Sequence, residues 1–495
     1  MRVPNGVFIV LAACVALTAG SIGLGTAKTH AAPHRGSPPP TGNCAAIEAY
    51  QGQSVGPPTI IDQTCARIPL GIPGDVLEQG PTDVYSWLTF VAMNWPVVPG
   101  ACQANLQASI LHGAQSPTWL SYLFDDDVFV APGSSPTGWC YTPTKLGRRA
   151  AFASAAAGAA AKRAARLALL PPRVRALAEK HPEVTMFLSH NAKGARVRMT
   201  AAKRGAALDP HLQTIVDATG QAVTAQNGRF VRYTVNMNFD EYKYVIQKSL
   251  WNNAGQAAAG NLKFPSSDPK TGDVGAMEFK AAWKVLGPGD DPSHFFTMKA
   301  IVYNDASGDV SPGPNPVTVG LAGLHITHKT STQSDWLWST FEQTDLMKSF
   351  NNPHCSASQC PPNVETAPTP YVELDPKTGK PLNKPVQVVP IIPITKDTQS
   401  LNASFQKLLA GTPWAHYRLI ATQWVGETPG FHPTSLGNPV LETFVKDVQP
   451  YSCMGCHTQA VTNAGSNANF SWMMLEAQGT LPPIAPSPSP SSRPK

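Results

Sequence analysis

Close to the end of the chain stands Tyr451-Ser452-Cys453-Met454-Gly455-Cys456-His457, a CxxCH. Two thiols separated by two residues and followed at once by an imidazole form the attachment pattern of a c-type haem. Each thiol can make a thioether to a haem vinyl group while the imidazole reaches the iron from one face. The pattern therefore assigns Cys453 and Cys456 to covalent attachment of one haem c and His457 to the proximal iron position. The competing reading is a redox CxxC that happens to precede histidine. Such a motif opens a helix after a strand in a βαβ unit near a chain start, whereas this one lies near the C-terminus. Only 38 of the 495 residues follow His457. A haem placed here has to be walled by chain that comes earlier, so the body upstream must fold back over its own C-terminal motif.

The first residues agree with that chemistry. One basic residue, Arg2, precedes an apolar run over 7–24, which reads as a secretory signal within 1–31, with small residues allowing cleavage after Ala27 or Ala31. No other run is long and apolar enough to span a membrane. The expectation is an exported protein, periplasmic or otherwise extracytoplasmic. Leu11-Ala12-Ala13-Cys14 resembles a lipobox, so lipidation at Cys14 or an uncleaved anchor is the alternative. Covalent haem is attached outside the cytoplasm, which makes the leader and the motif consistent.

Nine cysteines are present. With Cys14, Cys453 and Cys456 set aside, six remain, and an even number in an oxidising compartment implies disulfides. Sequence allows fifteen pairings of six cysteines. Loop-closure entropy favours near neighbours: Cys44 with Cys65, Cys102 with Cys140, Cys355 with Cys360. Pro361 after Cys360 rules out a second CxxCH-type site there.

The formal charge of +6, from 38 basic and 32 acidic residues, is mild for this length and argues against a nucleic-acid partner. No Gly-rich phosphate loop, HExxH or GxSxG occurs, so nucleotide binding and hydrolase chemistry lack a motif. A redox partner protein is implied without any feature that names it.

Residue periodicity sets the architecture. Thr82-Asp83 can cap a helix running to Trp95-Pro96. The Ala-rich stretch 148–180, carrying Arg148, Arg149, Lys162, Arg163, Arg166, Arg173 and Arg175 and broken at Pro171-Pro172, predicts a basic helical pair. Such a pair offers a face for an anionic membrane surface or an acidic redox partner, with a solvated helix as the plainer reading. From 231 onward the period changes to two. Strands are expected over 231–237, 277–285, 294–303, 317–329, 336–343 and 417–425, with a short helix after Phe239 and a helix over 440–448 leading into the CxxCH. In 277–285 the alternation predicts one buried and one polar face, the latter bearing Glu278, Lys280 and Lys284. The expected class is α+β: an antiparallel sheet-rich body with helices at both ends and a C-terminal haem-attachment segment. The segments are a flexible linker 32–42, a helical and loop-rich region 43–228 with disulfides, a β-rich body 229–437, the attachment segment 438–480 and a Pro/Ser-rich tail 481–495.

The pieces WLTFVAMNWP, VRYTVNMNFDEYKYV, GAMEFKAAWKVL, VGLAGLHITHKT, WLWSTFEQTD, YSCMGCHTQA and NFSWM, in that order, resemble exported bacterial cytochrome c-family proteins with one C-terminal CxxCH. More distantly, a C-terminal haem motif on a β-rich body is similar to cytochrome c′-beta and the hydroxylamine-oxidising β-sheet cytochromes. In the latter a lysine is cross-linked to the haem, and Lys280 lies in a strand that looks like theirs; a solvated lysine is the simpler reading. The Ala-rich basic stretch fits neither pattern.

Several residues compete for the opposite face of the iron. Met473 or Met474 would give thioether ligation suited to electron transfer, although Phe470, Met473, Met474 and Ala477 share one helical stripe, the pattern of core packing. His325 and His328 are the imidazole alternatives; three apart on a strand, they point to opposite faces and cannot act together. If the face is open, Glu342 among aromatics is a possible proton donor, with an ion-paired carboxylate as the alternative. The leading expectation is an exported monohaem cytochrome passing single electrons. The alternatives are a haem enzyme acting on a small nitrogen or oxygen species at an open distal site, or a haem-based ligand sensor.

Overall fold

Alternating and doubly apolar runs in the middle of the chain pair into one sheet. The computed structural model describes residues 42–50, 55–113, 115–141, 155–188, 218, 220–304, 309–310, 315–333, 335–366, 378, 380, 384–426, 430–445 and 451–479. The chain divides into Met1–Ser37 and Pro38–Lys495, and every described residue belongs to the second unit. The three segments expected between 43 and 480 thus share one unit. The leader with Cys14, the tail 481–495, and Arg148 and Arg149 lie outside the described residues.

The strands are β1 (Leu123–Phe124), β2 (Met186–Leu188), β3 (Arg232–Met237), β4 (Met277–Val285), β5 (Thr297–Asn304), β6 (Asp309–Val310), β7 (Val317–Lys329), β8 (Trp336–Gln343), β9 (Tyr417–Val425) and β10 (Phe431–His432). They form a ten-stranded sheet whose main path runs β1-β3-β4-β7-β8-β9-β10, with β2, β5 and β6 branching from β7 through β5. Every pairing is antiparallel except β2 with β5. The helices are α1 (Cys44–Glu48), α2 (Gln79–Met93), α3 (Asp125–Val128), α4 (Ala155–Leu169), α5 (Pro172–Lys180), α6 (Phe239–Gln247), α7 (Asn253–Ala259), α8 (Leu346–Phe350), α9 (Lys396–Leu408) and α10 (Cys453–His457). The class is α+β, as the periodicity predicts. No helix among the described residues is long and apolar enough to cross a membrane.

One face of the sheet is the main core. There α2 lies on β8 and β9: Ser86 Oγ sits 2.6 Å from both Ser339 Oγ and Thr422 Oγ1, and Phe90 stacks on Phe341 at 4.4 Å. Trp87 stacks on Phe405 of α9 at 4.8 Å while its indole N–H donates to Asn402. Such aromatic pairs add to the burial of the large side chains that dominate this core. The helix begins at Gln79, earlier than Thr82-Asp83 predicts. Those two side chains do other work: Thr82 Oγ1 donates to the Glu78 carbonyl, and the Asp83 carboxylate accepts bonds from Thr422, Thr398 and Gln79.

The opposite face is polar in sequence but not wet. Lys280 is 7 % exposed and Lys284 2 %, so the predicted solvated face of β4 is corrected. Beside Lys280 its cover is the segment 436–444, tied down where Tyr233 donates to the Val440 carbonyl at 2.8 Å and Asn438 donates to Thr340 and to the Phe341 carbonyl, while Lys284 pairs with Asp290 and lies over the Phe350 ring. This segment also replaces part of the helix expected over 440–448: residues 439–444 form turns and bends and 445 is 3-10, with no α-helix in 439–445. The Asn438 side chain donates to β8 and accepts the Val440 N–H, while the Glu442 carboxylate accepts the Asn438 N–H and meets His325, side-chain bonds that compete with a helical ladder. Residues 446–450 lie outside the described residues.

The basic helical pair appears as α4 and α5. Its charges mostly turn inward. Lys162 donates to the Leu120 carbonyl at 2.7 Å, and Arg163 donates to the carbonyls of Val184, Ala178 and His181, satisfying acceptors at the end of α5. Arg166 pairs with Asp127 at 2.8 Å and lies over the Phe124 ring. These staples leave less cationic surface than the composition suggests. All three neighbouring cysteine pairs form: Cys44–Cys65, Cys102–Cys140 and Cys355–Cys360.

Candidate functional site

The CxxCH folds as the single-turn helix α10. Ser452 caps it, its Oγ accepting the Gly455 N–H at 2.9 Å. Gln423 of β9 pins it to the sheet: its Oε1 accepts the Met454 N–H at 2.9 Å and the Ser452 hydroxyl at 3.1 Å, and its Nε2 donates to the Pro433 carbonyl at 2.6 Å. A spacing of three on a helix sets Cys453 and Cys456 on the same side. Neither belongs to a disulfide; Cys453 is buried and Cys456 exposed. Burial, then the charges of Glu442 and Cys456, push the Cys453 thiol well above its ordinary value. That is the reverse of the depressed thiol that drives a disulfide oxidoreductase.

His457 follows on the last turn. Its Nδ1–H donates to the Phe470 carbonyl at 2.7 Å, which fixes the tautomer and puts the lone pair on Nε2, the arrangement required of an imidazole ligand. The Trp338 ring of β8 lies 4.1 Å from the His457 ring. Around them Ile420, Leu436 and Met454 form an apolar cluster with Cys453, rimmed by Phe431 and Phe470. Two thiols outside any disulfide, an imidazole of the right tautomer and an apolar wall fit a covalently attached haem.

Of the four distal candidates, His325 is the one this site gathers in. It lies on β7, on the sheet face that carries Trp338, with the two rings 6.0 Å apart. Its Nε2 is 2.9 Å from Glu442 Oε1, and ligand atoms of His325, Glu442 and Cys453 lie within 4.8 Å of one another. The His325 Nδ1 is buried and has no hydrogen-bond partner among the described residues. His328 points to the other face, held between the Tyr85 hydroxyl and the Val274 carbonyl, and burial lowers its pKa to about 4. Met473 and Met474 pack in the main core, away from the cluster that contains Cys453.

Glu342 is ion-paired: Arg418 Nε lies 2.7 Å and Nη2 2.6 Å from its Oε1. Burial raises its pKa and Arg418 opposes the shift. Lys280 is the register neighbour of His325. Its ammonium lies 5.1 Å from the Tyr233 ring centroid and has no hydrogen-bond partner among the described residues. The solvated reading of Lys280 is thereby corrected: the 436–444 cover dries this face.

Sequence reasoning passes over Gln423, Glu442 and the Phe470 carbonyl. The available signal is a long polar side chain, Gln423 or Glu442, beside a threonine inside each of two otherwise apolar runs, Ala421-Thr422-Gln423-Trp424-Val425 and Val440-Leu441-Glu442-Thr443-Phe444. Gln423→Ala removes an acceptor shared by two donors at the motif. The expected result in urea denaturation of the purified protein is a loss of about 2 kcal/mol, with wild-type stability as the contrary outcome.

No protein-family model, curated protein or solved structure matches the chain.

Proposed function

We propose that the protein is an exported monohaem c-type cytochrome, with one haem c on Cys453 and Cys456 and His457 on the iron, serving single-electron transfer in the manner of the cytochrome c-family proteins it resembles. The observation that carries this reading is the CxxCH turn itself: its two thiols stand outside any disulfide and the following histidine is held in the ligand tautomer by the Phe470 carbonyl. The raised Cys453 thiol speaks against the competing redox CxxC. Export rests on the apolar leader.

Haem bound here supplies a one-electron iron couple. The chain's own residues do the rest. Gln423 and Ser452 fix the turn that presents both thiols. Trp338 packs against the half-buried His457 ring at the edge of the apolar cluster. His325, donating through Nε2–H to Glu442, carries its lone pair on Nδ1, the carboxylate-oriented form of a metal-binding imidazole. Of the distal candidates it is the one that would reach the iron of a haem held here. A second reading, a small nitrogen or oxygen species acted on or sensed at an open distal site, is favoured by the polar groups of that face. Lys280 Nζ and Trp338 Nε1 are buried there without hydrogen-bond partners among the described residues.

Visible spectra of the oxidised and reduced protein, with and without carbon monoxide, separate the two. A low-spin reduced spectrum indifferent to the gas, converting in His325→Ala to one that binds it, supports the carrier. A wild-type spectrum that shifts on adding carbon monoxide moves the conclusion to the open site, and haem extracted whole by acid-acetone removes both.

A further inference from the structure

The backbone enters the left-handed region at two successive residues that are not glycine, Asn469 with φ of +49° and Phe470 with φ of +73°. For a bulky L-residue such as Phe470 this conformation is unfavourable, and it persists only where the surroundings over-determine it. Here they do. Asn469 Oδ1 accepts from Lys329 Nζ at 3.0 Å and from the Phe264 N–H at 2.9 Å. Its main-chain carbonyl accepts the Trp336 indole N–H at 2.8 Å, and its own N–H donates to Asn467 Oδ1 at 2.8 Å.

Lys329 and Trp336 are register partners at the β7–β8 turn, each 1 % exposed. A lysine buried so deeply is costly unless its ammonium is bonded, and the bond it makes is to Asn469. The next carbonyl along the chain is the one on which His457 Nδ1–H is seated at 2.7 Å. A twist that costs energy, clamped from two strands, therefore ends on the group that orients the proximal imidazole.

We propose that Asn469, clamped by Lys329 and Trp336, is a positioning residue that sets the His457 Nδ1–H to Phe470 carbonyl bond and, through it, how strongly His457 donates to the haem iron. The proposal rests on the haem reading above and adds what tunes that site. A stronger bond at Nδ1 makes the imidazole more basic at Nε2, favours oxidised iron and lowers the reduction potential. Loosening the clamp weakens the bond and raises the potential.

The test compares wild type, Asn469→Ala and Trp336→Phe, all full-length and exported, by the nitrogen-15 shift of His457 Nδ1 and by the midpoint potential. Both variants are uncharged at the altered position, so a change in potential is not a simple charge effect. Each is expected to move the Nδ1 shift toward a weaker hydrogen bond. Each should also change the reduced-to-oxidised ratio, read at the wild-type midpoint, by about threefold or more toward reduced. Asn469→Asp keeps the Oδ1 acceptor and should leave the Nδ1 shift near wild type. Should Asn469→Ala fail to fold, Trp336→Phe, which keeps a ring in place, gives the same two readouts. Folded variants with both readouts unchanged overturn the proposal. The Nδ1 shift is measurable with or without haem, so absence of covalent haem in wild type overturns the parent reading while the clamp is still judged on its own.

Discussion

Replacing Cys453 and Cys456 together by alanine is expected to abolish covalent haem: after acid-acetone treatment the wild-type chain keeps its chromophore and the double variant keeps none. The two thiols stand on one turn and belong to no disulfide, while the other six described cysteines are all paired. No second thiol pair is therefore at hand to substitute. Single variants should differ. Cys456 is exposed, and its loss leaves the buried Cys453 to hold the group by one thioether. Cys453→Ala also empties space in the cluster with Trp338, Ile420 and Met454, so it should lower stability as well as attachment. Intact mass of the secreted proteins reads attachment directly. A double variant that retains the haem mass, or a wild type that never carries it, defeats the assignment.

The largest stability effect is expected from Asp83→Ala, a loss of about 3 kcal/mol or more in denaturant unfolding. Asp83 is 2 % exposed. Its Oδ1 accepts from the Thr422 N–H at 3.1 Å, the Thr422 hydroxyl at 2.8 Å and the Gln79 amide at 2.7 Å, and its Oδ2 from the Thr398 hydroxyl at 2.6 Å. One carboxyl thereby joins α2, β9 and α9, and alanine would leave buried donors without an acceptor. The effect depends on pH. Burial raises the Asp83 pKa from its ordinary 3.8 to about 6, with its hydrogen bonds opposing the shift. Because the folded-state value is the higher one, the folded chain binds the extra proton between these values, and this group's contribution to stability grows as pH falls through 6 toward 4. The wild type should therefore exceed Asp83→Ala by more at pH 5 than at pH 8. The reverse order would mean that the carboxyl is better stabilised in its charged form than its burial implies.

The sheet was largely legible because its signal is local. Alternation in Val231-Arg232-Tyr233-Thr234-Val235 and the doubly apolar run Trp336–Gln343 reflect what each strand's two faces touch, and a period of two survives in the sequence. The solvent state of a polar face is not local. Glu278, Lys280 and Lys284 carry the code of a wet face, yet both lysines are buried: beside Lys280 lies a segment about 160 residues further on, and Lys284 meets Asp290 and the Phe350 ring. The same distance hid the helix that does not form over 440–445. Its residues have helical spacing, but Asn438 and Glu442 find partners on β7 and β8 that a free segment would lack.

The site divides along the same line. Sequence by itself determined the CxxCH pattern and the α+β class and favoured the three neighbouring cysteine pairs, because each depends on residue type and short spacing. It also required His325 and His328 to face opposite ways, since a strand's geometry allows nothing else. Only the tertiary structure decided which of the two stands with Cys453 and which is locked between Tyr85 and Val274. It alone brought Gln423 under the motif, Glu442 onto His325 and the Phe470 carbonyl onto His457. The first two join residues distant in the chain, and the third closes an irregular loop; their energy is gained only after the chain between them has closed, so no residue pattern announces them.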